Sequence, residues 1–137
     1  QASIEKQDFE SAKKLYLKLQ QQFPENPDFK FEYIAILLKS NQAQQALQLL
    51  KLIGYETQQH PRYYLLLAQS YGKLDQEVSL HRYMAEYYYS IGQTDSAIMQ
   101  IKLAQKAKGL NFYLSSILED RLNFFMAETL ALKELQN

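Results

Sequence analysis

Three short stretches of this chain carry the same arrangement of side chains: Phe31, Ile34, Ala35, Leu38; then Tyr64, Leu67, Ala68, Tyr71; then His81, Met84, Ala85, Tyr88. Each begins with a large residue, followed three positions on by an apolar one, then an alanine, then another large residue three further. Steps of three and four place all four side chains on one face of an α-helix, whereas a strand would scatter them over both faces. The alanine is the most restrictive member. On an otherwise bulky face it marks where a second helix comes too close for a larger side chain. A chain that repeats this arrangement must build itself from closely packed helices.

Composition agrees with that reading. Leu, Ala, Gln, Lys and Glu dominate, all good helix formers, while three prolines and four glycines leave few strand punctuators. The predicted class is all-α. Residues 8–22 place Phe9, Ala12, Leu15, Tyr16 and Leu19 on one face of a first helix. Asn26 caps a second helix, with Pro27 at its first position, that runs to Lys39 and breaks at Ser40–Asn41. A third spans 43–53 and is closed by Gly54; Pro61 opens a fourth reaching Lys73. Asp75 is expected to cap a fifth over 76–91, ended by Gly92, and Thr94 a sixth over 95–107, stopped by Gly109. Asn111 caps a long last helix reaching into the 130s. No linker or second domain is visible, so residues 1–137 read as a single domain. Because the chain opens on Gln1 rather than Met, it is expected to be a fragment of something longer.

The spacing between stretches narrows the fold further. Ala12 and Ala46 are 34 residues apart, each in the second helix of a pair, and Ala35 and Ala68 are 33 apart. A helix–turn–helix unit repeating at about 34 residues resembles the tetratricopeptide repeat. The stretch YYYSIGQTDSAI looks like the centre of one unit, with Tyr88 late in the first helix, Gly92 in the turn and Ala97 early in the second. The expected architecture is a solenoid of antiparallel helix pairs ending in a long capping helix. Ala68 to Ala85 is only 17 residues, half a repeat. The helix over 76–91 therefore serves two pairs, and a helix packed on both flanks needs cover around more of its circumference. Tyr88 is core by position, with Tyr83 and Tyr87 covering the other flank. The repeat-packing residues are Ala12, Ala35, Ala46, Ala68, Tyr71, Ala85, Tyr88, Gly92 and Ala97.

In this repeat family the first helices line a concave groove. By register the groove candidates are Arg62, Gln69 and Lys73 on one helix and Arg82, Glu86 and Tyr89 on a later one, with Glu32 and Lys39 before them. The competing reading is a solvated polar face. The mixture is neither strongly basic nor strongly acidic, which suits a protein or peptide partner of mixed polarity. Net charge is zero, so no bulk electrostatic argument favours nucleic acid. No apolar run approaches the roughly 18–20 residues of a membrane span.

Catalytic groupings are scarce. His60 and His81 are 21 residues apart with no HExxH, and cysteine is absent. His60 reads as a turn residue and His81 as a partly buried packing residue. Glu119 and Asp120 are adjacent on a helix and diverge by roughly 100 degrees, so they cannot face each other as an acid–base pair. No glycine-rich phosphate loop or Gly-x-Ser-x-Gly elbow occurs. The expectation is a chain with no catalytic and no metal-binding residue.

Residues 81–122 support a narrower resemblance. The H-x3-AEYY core, the G-x4-AI turn, the QIKLA stretch and a last helix opening at Phe112–Tyr113, with Ser116–Ile117 and Arg121–Leu122, resemble the end of periplasmic zinc metalloproteases of the beta-barrel assembly-enhancing (BepA-type) family. The resemblance implies an upstream HExxH peptidase domain holding the zinc, a periplasmic location, and a role for this chain in docking to outer-membrane β-barrel assembly components and their substrates. None of that family's catalytic or zinc-binding residues falls within these positions. The alternative is a free-standing adaptor in secretion or pilus assembly with no protease attached. The final helix departs from the family by continuing through FFMAETLALKELQ, and Phe124, Phe125, Met126, Leu130 and Leu132 exceed what one amphipathic stripe needs. That segment is expected to pack back on the solenoid, to contact the peptidase domain, or to mediate self-association.

Overall fold

A computed structural model describes residues 2–54 and 57–136. The described residues form seven α-helices, α1 (Ala2–Gln22), α2 (Pro27–Lys39), α3 (Ala43–Lys51), α4 (Pro61–Lys73), α5 (Glu77–Ser90), α6 (Thr94–Lys106) and α7 (Phe112–Gln136), with one short 3-10 turn at Thr57–Gln59. Each helix packs on the next in order, and α2 also touches α4 and α5 touches α7. Sequential pairing, with the two further contacts of α2 on α4 and α5 on α7, makes a helical repeat solenoid.

One turn, used three times, generates the stack. Asn41, Asp75 and Gly92 all adopt left-handed backbone with φ of 62°, 59° and 82°. The amide after each donates back into the preceding helix: Gln42 N to Leu37 O at 2.8 Å, Gln76 N to Tyr71 O at 3.0 Å and Gln93 N to Tyr88 O at 2.8 Å. These bonds satisfy carbonyls that a helix end would leave unpaired. Asn, Asp and Gly are the residues that tolerate this conformation most readily. The three turn residues stand 34 and 17 positions apart, so the half-repeat step seen in the alanines is present in the backbone as well.

The same turns correct several boundaries. Asp75 is the last residue of the α4–α5 turn and not a cap; Gln76 occupies the N-cap of α5 and makes no side-chain cap bond. Thr94 lies inside the first turn of α6, behind Gln93. The helix α3 ends at Lys51, before Gly54 is reached, and α1 starts at Ala2, six residues before the expected start at residue 8. Asn26 does cap α2, accepting from Asp28 N at 3.0 Å, and Asn111 caps α7, accepting from Leu114 N at 2.8 Å. His60, read as a plain turn residue, caps α4 by accepting from Arg62 N at 3.1 Å, and its ring lies 5.2 Å from that of Phe31.

Buried side chains fall into two clusters. The first joins Phe31, Ile34 and Leu37 of α2, Ala46, Leu47 and Leu50 of α3, and Tyr63, Leu66 and Leu67 of α4. The second joins Val78 and Ala85 of α5, Ala97, Ile101 and Ala104 of α6, and Leu118 and Phe125 of α7. α5 sits between them. Its Tyr83 packs against the first cluster and its Tyr88 against the second. Along α1 the stripe is narrow, because its contacts are with α2: Phe9, Ala12, Tyr16 and Leu19 are partly buried, whereas Leu15 is exposed.

Candidate functional site

The alanines set the distance at which helices present their remaining side chains. Ala46, Ala68, Ala85 and Ala97 are fully buried, while Ala12 and Ala35 are only partly so. Ala35 is partly open because it forms floor rather than core. With Leu38, Lys39, Gln69, Gly72 and Lys73 it lines a depression of about 440 Å³ between α2 and α4. The floor is apolar and Gln69 supplies an amide. Lys39 and Lys73, in the last turns of their helices, flank it, and neither has an ion pair among the described residues. Away from it, Arg62 in the first turn of α4 and Glu32 midway along α2 form a salt bridge at 2.6 Å.

The other three candidates do not share that depression. Arg82 rests its guanidinium 4.8 Å from the ring centre of Tyr83, which is itself stacked on Tyr71 at 5.6 Å with an interplanar angle of 5°. Burial raises the phenol pKa of Tyr83, with the charge of Arg82 acting in the opposite sense. Glu86 and Tyr89 lie beneath α7. Arg121 donates to both oxygens of Glu86, Nε to Oε2 and Nη2 to Oε1, each at 2.8 Å. The Tyr89 hydroxyl donates to Glu128 at 2.9 Å, and its ring meets Phe124 and Phe125 at 5.4 and 5.0 Å. Burial raises the Tyr89 pKa, and the hydrogen bond to the Glu128 carboxylate raises it further. The six groove candidates thus divide: Gln69 and Lys73 line an open depression, Arg62 is paired away from it, Arg82 stacks on Tyr83, and Glu86 and Tyr89 are engaged by the chain's own last helix.

Sequence reasoning passed over Ala35, Leu38 and Gly72 as floor, since an apolar residue on a helix reads as core. It also passed over Arg121 and Glu128 as residues that hold α7 down, although Phe125 stood among the apolar residues of the segment expected to pack back. The recurrence of Leu118, Leu122 and Phe125 at steps of four and three was the available signal. These contacts also settle that α7 packs back on the solenoid, although Met126, Leu130, Leu132 and Leu135 stay exposed. His81 is partly buried and shares a hydrogen bond of 2.8 Å with Gln100. Among the described residues no group of three or more His, Cys, Asp or Glu is placed to hold a metal ion, and no helix is long and apolar enough to cross a membrane.

A search of curated proteins gives no match, nor does a search of solved structures. The tetratricopeptide repeat family model matches residues 3–70, which take in α1, α2, α3 and most of α4. Such repeats bind proteins or peptides. With seven helices stacked in sequence, recurrent left-handed turns and buried alanines at the helix contacts, the chain has the fold of a tetratricopeptide-repeat solenoid.

Proposed function

We propose that this chain is a non-catalytic protein-binding domain whose working surface is the depression between α2 and α4. The observation that carries the reading is the combination of an apolar floor with two cations that have no ion-pair partner among the described residues. Arg62 and Arg121, by contrast, are already neutralised by Glu32 and Glu86. A protein segment presenting apolar side chains beside one or more carboxylates fits that combination: the floor removes apolar surface from water, and the lysines fix register and steer approach. Following the resemblance of residues 81–122, the domain docks a periplasmic zinc metalloprotease to outer-membrane β-barrel assembly components and their substrates, with the peptidase and its zinc upstream.

The test is a binding titration of purified barrel-assembly components against wild type and the double variant Lys39→Glu/Lys73→Glu. The expected result is at least a tenfold loss of affinity in the variant and a wild-type affinity that falls with added salt. A variant that keeps its helical circular dichroism and binds as tightly as wild type removes the depression from the working surface.

A further inference from the structure

The register of α5 repeats that of α2 and α4, and it shows what α7 is sitting on. Glu86 follows Ala85 as Gln69 follows Ala68; Tyr89 stands four residues past Ala85, as Lys39 does past Ala35 and Gly72 past Ala68. Gln69, Lys39 and Gly72 line the open depression. The matching residues of α5 are instead in contact with α7, through the Arg121–Glu86 pair, the Tyr89–Glu128 hydrogen bond and the packing of Tyr89 on Phe125. The last helix occupies the half of the concave face that continues the depression.

Its hold is light. Of its 25 residues only Leu118 and Phe125 are buried. The bidentate pair is partly open to solvent, and residues 107–111, which join α6 to α7, include Gly109 at φ +93° with open space around it. A helix tied by one short apolar stripe and two polar clasps belongs to the low-stability end of a structure, where local opening precedes global unfolding.

We propose that α7 is a built-in occupant of a second helix-binding surface on α5 and α6, and that this surface accepts a partner helix presenting the same face. That face is defined by Arg121, Phe125 and Glu128: a basic residue, an aromatic four positions on and a carboxylate seven on. Glu86 takes the basic residue as a fork, the Tyr89 hydroxyl takes the carboxylate, and the Tyr89 ring with the α6 alanines seats the aromatic. The tethered α7 competes at an effective concentration of about a millimolar, so only a matched helix displaces it. The inference shares the concave face with the proposed function but not its depression or its partner.

The probe is a fluorescent peptide of residues 112–136, titrated into the 137-residue chain with Lys39 and Lys73 left native, so that failure here is separable from failure of the depression. Arg121→Gln/Glu128→Gln weakens the clasps from the α7 side and leaves the receiving surface intact. That variant is expected to bind the probe at least tenfold more tightly than wild type, and adding Glu86→Gln is expected to remove the gain. Equal binding by wild type and the clasp variant overturns the proposal, as does a gain that survives Glu86→Gln. Should the clasp variant lose its fold, hydrogen exchange on wild type decides. Amides of α7 that open while α5 and α6 stay protected support the proposal, and α7 amides that open only together with α5 and α6 overturn it.

Discussion

The two clusters of buried side chains solve one packing problem with different materials. Around α2, α3 and α4 the interior is filled by Phe31, Ile34, Leu37, Leu47, Leu50, Leu66 and Leu67, so large apolar side chains hold the helices together. Around α5, α6 and α7 three of the seven buried residues are alanines and a fourth is Val78. There Ile101, Leu118 and Phe125 fill the space between the small residues, and Tyr88, Tyr89, Leu114 and Leu122 add bulk at the margin, with polar clasps outside them. A core of large side chains is vulnerable to removal of atoms, because the cavity left behind collapses only in part. A helix contact made by alanines is vulnerable to addition, because the backbones already sit too close to make room. The polar margin of the second core gives α7 a defined position but little energy, since partly exposed ion pairs contribute little net stability.

That contrast predicts opposite responses to opposite substitutions. The largest expected effect is Phe31→Ala in the first core, where the ring is fully buried: a loss of about 3–5 kcal/mol by urea unfolding. A loss under about 1 kcal/mol would mean that α2 and α3 repack freely and the first core is not a jigsaw. Next comes Ala97→Leu in the second, at a residue with no exposed surface, expected to cost about 1–3 kcal/mol through overpacking against α5. Unchanged thermal unfolding of that variant would break the comparison, because it would show space between α5 and α6 where the buried alanines imply none.

The apolar core and its spacing were legible in the sequence, as was the doubled role of α5, because both are periodic. Ala68 and Ala85 at half a repeat predict a helix with two packed flanks, and Tyr83 and Tyr88 take one flank each. The turns were legible only in part. Asp75 looks like a cap because acidic residues before helices often are, yet the same residue type also tolerates the left-handed conformation this turn requires. What could not be read was the margin. Glu86 and Arg121 are 35 positions apart and Tyr89 and Glu128 are 39 apart, and a single long-range side-chain pair leaves no period behind it. Register alone placed Glu86 and Tyr89 in the groove; only the fold shows that the chain's own last helix covers them.

The two interhelical arginine pairs allow the margin to be graded. Arg121 grips both oxygens of Glu86, with the two side chains 33% and 15% exposed, whereas Arg62 meets Glu32 through one short contact with the pair 33% and 39% exposed. Arg121→Ala is expected to destabilise by about 1 kcal/mol and Arg62→Ala by about half that or less, after allowance for solvent screening. Measured again at about 1 M salt, where the screening length is about 3 Å, the Arg62 effect should vanish first. Equal effects at both salt concentrations would mean that the bidentate geometry around α7 adds nothing.

The smallest expected effect isolates the second clasp. The Tyr89 phenol is raised above its ordinary value of 10.0 by burial and then by its hydrogen bond to Glu128. A raised pKa means that the docked state holds the phenolic proton more tightly than the unfolded chain does. Its contribution is therefore fully present below about pH 10 and is lost as pH climbs through the raised value, because the unfolded chain gives up the proton first. Tyr89→Phe removes the group and should cost about 0.5–1 kcal/mol near neutral pH, the scale of one partly exposed hydrogen bond whose remaining acceptor can turn to water. The informative quantity is the difference between wild type and variant in urea unfolding, followed from about pH 8 to about pH 11. Tyr63 and Tyr83 are also raised by burial, but they are present in both proteins and cancel. A wild-type advantage that shrinks above about pH 10 places the proton between Tyr89 and Glu128 in the docked helix, whereas two curves that stay parallel would remove that hydrogen bond from what holds α7 in place.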